Sequence, residues 1–200
     1  MKLSKGLIGI IVIAGIALLC FMWGKSAYND MVQKEVAVET QWAQVQNAYQ
    51  RRADLIPNLV NTVKGYASHE QQTLTAVVEA RAKATQLNTS ISADQLTPEN
   101  IQKYQQAQGE LSTALGRLMM IQEAYPDLKA NTNFLALQDE LAGTENRIST
   151  ERNKFNESVR NYNTTIRSFP KNIFAGIFGF ERKAFFEADP SAQKAPEIQF

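Results

Sequence analysis

Residues 6–23, GLIGIIVIAGIALLCFMW, form an 18-residue run without a charge. At a helical rise of about 1.5 Å per residue the run reaches about 27 Å, close to the hydrocarbon thickness of a bilayer. Lys2 and Lys5 precede it and Lys25 follows it. No comparable run occurs later, which predicts a chain that crosses a membrane once and places its remaining mass on one side.

Three other readings of the run are open. A cleaved signal peptide calls for a shorter apolar core and a small-x-small site, whereas this run ends Cys-Phe-Met-Trp-Gly. A lipoprotein signal ending at Cys20 calls for a small residue where Leu19 stands. A buried core helix is at odds with the flanking lysines. A retained anchor fits best, with Trp23 at the far interface. Lys2 and Lys5 face a mixture of Lys25, Asp30, Lys34, Glu35 and Glu39 after the span. This bias favours the N-terminus inside and residues 26–200 outside, in the periplasm of a double-membraned bacterium. Cys20, the one cysteine, lies within the span, so disulfides say nothing about the compartment.

Residues 26–200 hold all 20 acids and 18 of the 21 Lys and Arg. This slight acidic excess argues against a nucleic-acid surface or a strongly basic membrane-binding patch. Proline is sparse, and Ala, Gln, Glu, Leu and Arg are plentiful, as in long helices.

Spacings of three and seven dominate the pattern. One seam reads Tyr28, Glu35, Trp42, Tyr49, Ile56, Val63; its companion reads Met31, Val38, Val45, Arg52, Leu59, Tyr66. Both fall on one stripe of a helix that continues out of the span. Pro57 predicts a kink or break over 53–57, with Asp54 as a possible cap for a new helix reaching about Leu87. The apolar face of that helix takes in Leu59, Val63, Tyr66, Leu74, Val77 and Val78. Residues 88–97 read as a loop. Thr97-Pro98-Glu99 then starts a third helix carrying Ile101, Tyr104, Leu111, Leu115, Leu118 and Ile121, which ends at Tyr125-Pro126. Asn131 caps a fourth, with Phe134, Leu141, Ile148, Phe155, Tyr162 and Phe169 at a strict spacing of seven until Pro170.

The expected fold is all-α: a transmembrane helix over 1–25, continuing into an antiparallel bundle of about four long helices over 26–168, then a Phe-rich tail over 169–200. Six of the ten phenylalanines lie at 169, 174, 178, 180, 185 and 186. The tail can pack on the bundle, dock on a neighbouring subunit or dip into a bilayer interface.

Little supports catalysis. His69 is the only histidine, and position 73, where a zinc-protease helix would carry its second, is Thr. No nucleophile–histidine–acid set, metal-ligand cluster or phosphate loop is spelled out, so no catalytic, cofactor or metal residue is assigned. Charged residues on the apolar seams are more informative. Arg52, Asp54, Glu145, Arg147 and Arg152 are candidates for an internal or intersubunit ion-pair network that fixes register; the plainer reading is a solvated flank around Ile148.

Tyr28-Asn29, Trp42, RRADLIPNLV over 51–60, TVKGYA over 62–67, His69-Glu70 and Ala80-Arg81-Ala82 resemble the LemA family signature. YPDLKA over 125–130, Phe134, Leu137-Gln138, Glu140-Leu141, TENRI over 144–148, Arg152, Tyr162-Asn163 and Phe169-Pro170 continue the resemblance over nearly the whole chain. Phe155-Asn156 departs from it, standing where Tyr-Asn is expected. The resemblance implies a bacterial membrane-anchored helical bundle and brings no catalytic mechanism with it; family members often occur beside membrane proteases or other envelope proteins, an association of context that suggests envelope stress or quality control.

The resulting expectation is a single-pass inner-membrane scaffold or interaction protein of the envelope that self-assembles into a high-order homo-oligomer, with the lipid bilayer as partner and other envelope membrane proteins as further candidates. The alternative is a monomeric adaptor or regulator of a membrane protease in envelope quality control. A first helix from Gly6 to about Arg52 would be about 70 Å long, leaving Trp42 and Tyr49 as aromatic surface for neighbours. Phe174, Phe178 and Phe185 are the candidate anchors of the tail.

Overall fold

Pro57 does not break the helix that carries it. In the computed structural model, which describes residues 5–187, α1 runs unbroken over Lys5–Tyr66 with Pro57 inside it. A proline within a helix leaves the carbonyl four residues earlier without its N–H donor. Here that carbonyl belongs to Ala53, and Arg81 Nε donates to it at 2.7 Å. The expected break over 53–57 is therefore absent. Asp54 caps nothing there: it is exposed and accepts from the Gln50 amide at 2.8 Å.

Arg81→Ala is expected to cost about 1–3 kcal/mol, because it strands a buried carbonyl. In a Pro57→Ala background the restored N–H reaches the same oxygen, so most of that cost should vanish. Urea melts of the four proteins form the cycle; an unchanged Arg81 cost in both backgrounds would refute the linkage.

The chain turns later than expected, at 67–70, where Ala67 is fully buried and Glu70 N–H closes on the Ala67 carbonyl at 3.1 Å. Helix α2 follows over Gln71–Ser90, extending into the stretch that reads as a loop. Its buried face holds Leu74, Val77 and Ala84, whereas Val78 and Tyr66, both expected on the apolar face, are exposed. After a 3-10 turn at Ala93–Gln95, α3 runs over Pro98–Met120. The Thr97 hydroxyl accepts from Asn100 N–H, and Pro98 occupies the first position, as the sequence indicates. All six apolar seam residues of this segment are buried.

A second 3-10 turn, Ile121–Glu123, and a four-residue helix α4, Pro126–Lys129, lead to α5 over Thr132–Arg167. Asn131 Oδ1 accepts from Phe134 N–H at 2.9 Å and caps α5. Five members of the seven-spaced seam are buried; the sixth, Phe169, lies past the helix end and is 82% exposed. Ile148→Ala should cost about 2–4 kcal/mol in the same melts, through lost burial and a residual cavity, and exposed Asn153→Ala far less. The tail contains a further helix, α6, over Lys171–Phe178. Gly179, at φ 75°, turns the chain out of α6 and lets Phe180 N–H reach the Ala175 carbonyl at 3.0 Å. No strand occurs among the described residues.

The chain forms two compact units. One comprises Glu39–Glu157 and the chain from Lys183. In it α1, α2, α3 and α5 form a four-helix bundle with antiparallel sequence neighbours. Lys83 pairs with Glu110 at 2.6 Å across α2 and α3, and Arg51 with Glu140 at 2.9 Å across α1 and α5. Ile56, Leu59, Val63, Val77, Leu111, Leu118, Phe134 and Leu141 fill part of its core. The other unit comprises the chain to Val38 and Ser158–Arg182. There Ala27, Met31 and Val38 of α1, Val159, Tyr162 and Ile166 of α5 and Ala175 of α6 are buried. The α1 side chains at 13, 19 and 21 are 70%, 67% and 71% exposed.

Candidate functional site

Arg52 is the polar centre of the bundle, 1% exposed at a seam position where an apolar residue would ordinarily stand. Its Nη1 donates to Glu145 Oε1 at 2.7 Å and to Ser112 Oγ at 2.9 Å. Its Nη2 donates to the Gln108 side-chain oxygen at 2.6 Å and to the Gln108 carbonyl at 3.2 Å. The guanidinium also stands 5.1 Å from the centre of the Tyr49 ring. Charge, planar fork and aromatic face together suit arginine and no other residue. One side chain of α1 thus ties α3 to α5 at a single register.

Of the five candidate network residues, the structure brings Arg52 and Glu145 into direct contact. Arg152 lies nearby, donating to the Glu187 carbonyl at 3.1 Å with its guanidinium 4.9 Å from the Phe186 ring centre. Asp54 and Arg147 are exposed and stand outside the network. Glu151, on the same seam, is buried and takes the Gln41 amide at 2.9 Å and Lys154 at 3.1 Å.

Trp42 and Tyr49 are not aromatic surface for neighbours, as their seam position suggested. They are 1% and 4% exposed, enclosed by their own chain. The Trp42 ring centre lies 5.1 Å from Tyr104, 5.5 Å from Phe155 and 6.0 Å from Phe186, and Tyr49 meets Tyr104 edge-on at 5.3 Å. Two of the polar tips are anchored. Trp42 Nε1 donates to the Ile91 carbonyl at 3.1 Å, and Tyr104 donates to Asn88 Oδ1 at 2.6 Å. Asn88 donates in turn to the Gln46 carbonyl at 3.2 Å.

Phe186 enters this cluster from the tail. Asn156 clasps its backbone twice, donating to its carbonyl and accepting from its N–H, both at 2.9 Å. Ala184 N–H adds a bond to the Leu96 carbonyl at 2.9 Å. Phe155 packs against Phe186 at 5.3 Å and is fully buried, an environment that suits a ring without a hydroxyl.

Burial holds the phenols of Tyr49 and Tyr104 above their ordinary range, outweighing the arginines beside them. A group whose folded pKa is raised contributes its full stability below the unfolded value, here about pH 10, and loses it above. Stability should therefore fall once pH passes about 10, as the unfolded chain ionises these phenols first. An absorbance titration should show Tyr49→Phe and Tyr104→Phe leaving the first, reversible tyrosine wave unchanged.

In the other unit, apolar surface is the main feature. Phe174 meets Trp23 edge-on at 5.4 Å, Tyr28 lies 4.9 Å from Phe178 and 5.6 Å from Phe180, and Lys171 pairs with Asp30 at 2.6 Å. Phe178 is 54% exposed and Phe174 is half-buried; Phe185, which belongs to the bundle unit, is 38% exposed. An open groove of about 560 Å³ between α2 and α3, bordered by Glu110 and Arg117, is otherwise lined by small and neutral side chains. His69 is exposed, and no group of three or more potential metal ligands occurs among the described residues.

Signature residues such as Trp42, Arg52, Leu59, Arg81, Leu128, Phe134 and Glu145 thus sit in α1, α2, α4 and α5 and make contacts within the bundle unit. Residues 41–200 match the sequence profile of the LemA family. The chain belongs to the LemA family. Protein LemA of Metamycoplasma hominis is 23% identical over 160 residues, covering 80% of this chain and 68% of that protein. Magnetosome protein MamQ of Magnetospirillum gryphiswaldense is 36% identical over 85 residues, 42% of this chain and 31% of that protein. Magnetosome protein MamQ 2 of Paramagnetospirillum magneticum is 35% identical over the same length. The chain therefore spans 31% of the length of these magnetosome relatives.

The sequence points to Arg52 and Glu145 but not to their partners Gln108 and Ser112. Those two fall one turn apart on α3, a spacing that becomes informative only once α3 is known to face Arg52. Asn88, Asn156 and Phe186 were missed for the same reason: each takes its role from a residue on another element.

Proposed function

We propose that this LemA-family protein is a membrane-anchored helical scaffold of the bacterial envelope that presents its bundle outside the inner membrane and associates with further copies of itself. The observation that carries this reading is α1. It is one helix with an uncharged apolar stretch near its start, long enough to cross a bilayer, and with side chains that are exposed there. In water such a surface would be strongly unfavourable. The Arg52 guanidinium at the centre of the bundle is engaged with Gln108, Ser112 and Glu145, which supports a structural role for this polar cluster.

Orientation with the N-terminus inside follows from Lys2 and Lys5. A cysteine placed at exposed Ser90 in a Cys20→Ser background should react with a membrane-impermeant reagent on cells whose outer membrane alone is permeable. Reaction only after the inner membrane is broken would reverse the orientation.

Tethering all copies to one plane raises their local concentration, so weak lateral contacts accumulate. Phe178 and Phe185 keep exposed surface for such contacts; Trp42 and Tyr49 do not. Particle mass in mild detergent tests the assembly. A large, homogeneous particle supports the scaffold. A monomer refutes it and favours an adaptor that regulates another envelope protein, such as a membrane protease.

A further inference from the structure

We propose that α6 is a second membrane element, a short helix lying in the headgroup region beside the point where α1 leaves the bilayer. The inference rests on the reading of residues 6–23 as a span. If that span crosses the bilayer, Trp23 marks its outer boundary, and residues 23–30 rise about 10 Å from there, the depth of the interfacial zone. Helix α6 is fixed at this level by contacts with those same residues: Phe174 with Trp23, Phe178 with Tyr28, and Lys171 with Asp30.

The approach is close. A methyl group at Gly24 would stand 3.0 Å from Phe174 Cε1, so the absence of a side chain there lets the ring lie on α1. Ala175 is buried on the same side. The opposite face of α6 carries Ile173 and Ile177, one turn apart and 52% and 70% exposed, with Phe169 just ahead at 82%. A helix with one face on the protein and an apolar outer face, held at bilayer depth, matches the acyl–headgroup boundary. Lys25, Arg167 and Arg182 are exposed in the same unit and suit anionic headgroups. A second copy of the chain could also cover such a face, but the contacts with residues 23–30 hold it at the level of lipid.

The test uses the full-length protein, Cys20→Ser, in vesicles of phosphatidylethanolamine and phosphatidylglycerol. An environment-sensitive fluorophore is placed singly at Ile177→Cys, Phe169→Cys or Ile13→Cys, and lipids carry spin-label quenchers at the headgroup or deep in the acyl chain. Headgroup labels should quench positions 177 and 169 more strongly than deep labels, and the order should reverse at position 13. Gly24→Leu, which pushes Phe174 off α1, should weaken quenching at 177 and leave 13 unchanged. Quenching at 13 with none at 177 or 169 overturns the proposal while leaving the anchor intact. Blue-shifted emission at 177 that no lipid label quenches overturns it in favour of a contact with another copy. No quenching at 13 removes the anchor, and this proposal with it.

Discussion

Trp42→Ala is expected to lower the stability of the bundle by about 3–5 kcal/mol, the range for deleting a fully buried large aromatic. The indole touches three other rings, Tyr104, Phe155 and Phe186, and its N–H is bonded to the Ile91 carbonyl. Packing accounts for most of the loss, because the Ile91 carbonyl keeps a second donor, Gln46 Nε2 at 3.1 Å. Trp42→Phe should accordingly cost far less, about 1–2 kcal/mol. The tail segment should respond too. Phe186 stacks on Trp42, so the alanine variant should become sensitive to protease at 183–187 at urea concentrations where the bundle remains folded. Urea midpoints and limited proteolysis of the full chain in mild detergent read both effects. Equal losses for Ala and Phe would mean that the indole hydrogen bond, and not ring packing, holds the cluster.

Much of this architecture was legible because it is written locally. The seven-spaced seam of α5, the Thr97-Pro98 start of α3 and the Asn131 cap each need only residues within one or two turns. The failures have the opposite character. Pro57 reads as a breaker because the residue that removes its cost, Arg81, lies on another helix, 28 positions from the Ala53 carbonyl it bonds. The turn at 67–70 lacks a proline and is marked only by Gly65 and Ser68, so a strong false signal at 57 outweighed a weak true one. Trp42 and Tyr49 were placed at the right spacing on α1 but on the wrong side of the question, since periodicity finds a stripe without saying what covers it. Their cover includes Phe186, which arrives from a tail that periodicity does not describe. Arg52 was recognisable as a charge on an apolar stripe; its meaning required two other helices, α3 and α5.

Arg52 therefore gives the more discriminating experiment. Removing it leaves a cavity among Tyr49, Gln108 and Ser112 and strips Gln108 Oε1, itself in a buried side chain, of its donor. Arg52→Ala is expected to cost about 2–4 kcal/mol, through the cavity and the stranded Gln108 oxygen. Arg52→Lys keeps the charge but loses the fork, so it should fall between alanine and wild type. Arg52→Met fills most of the volume without a charge, and Glu145, whose side chain is 43% exposed, can turn to water. Apolar replacement of buried ion pairs is often neutral, so methionine should cost the least of the three. If it does, the arginine contributes little net stability, and its role is to hold α3 and α5 at one alignment against α1. Loss of that alignment should appear as broadened NMR signals from side chains near Gln108 and Glu145 in Arg52→Met, at wild-type helix content by circular dichroism. A methionine variant as unstable as alanine would instead make Arg52 a direct source of stability, and sharp wild-type spectra would remove the alignment role.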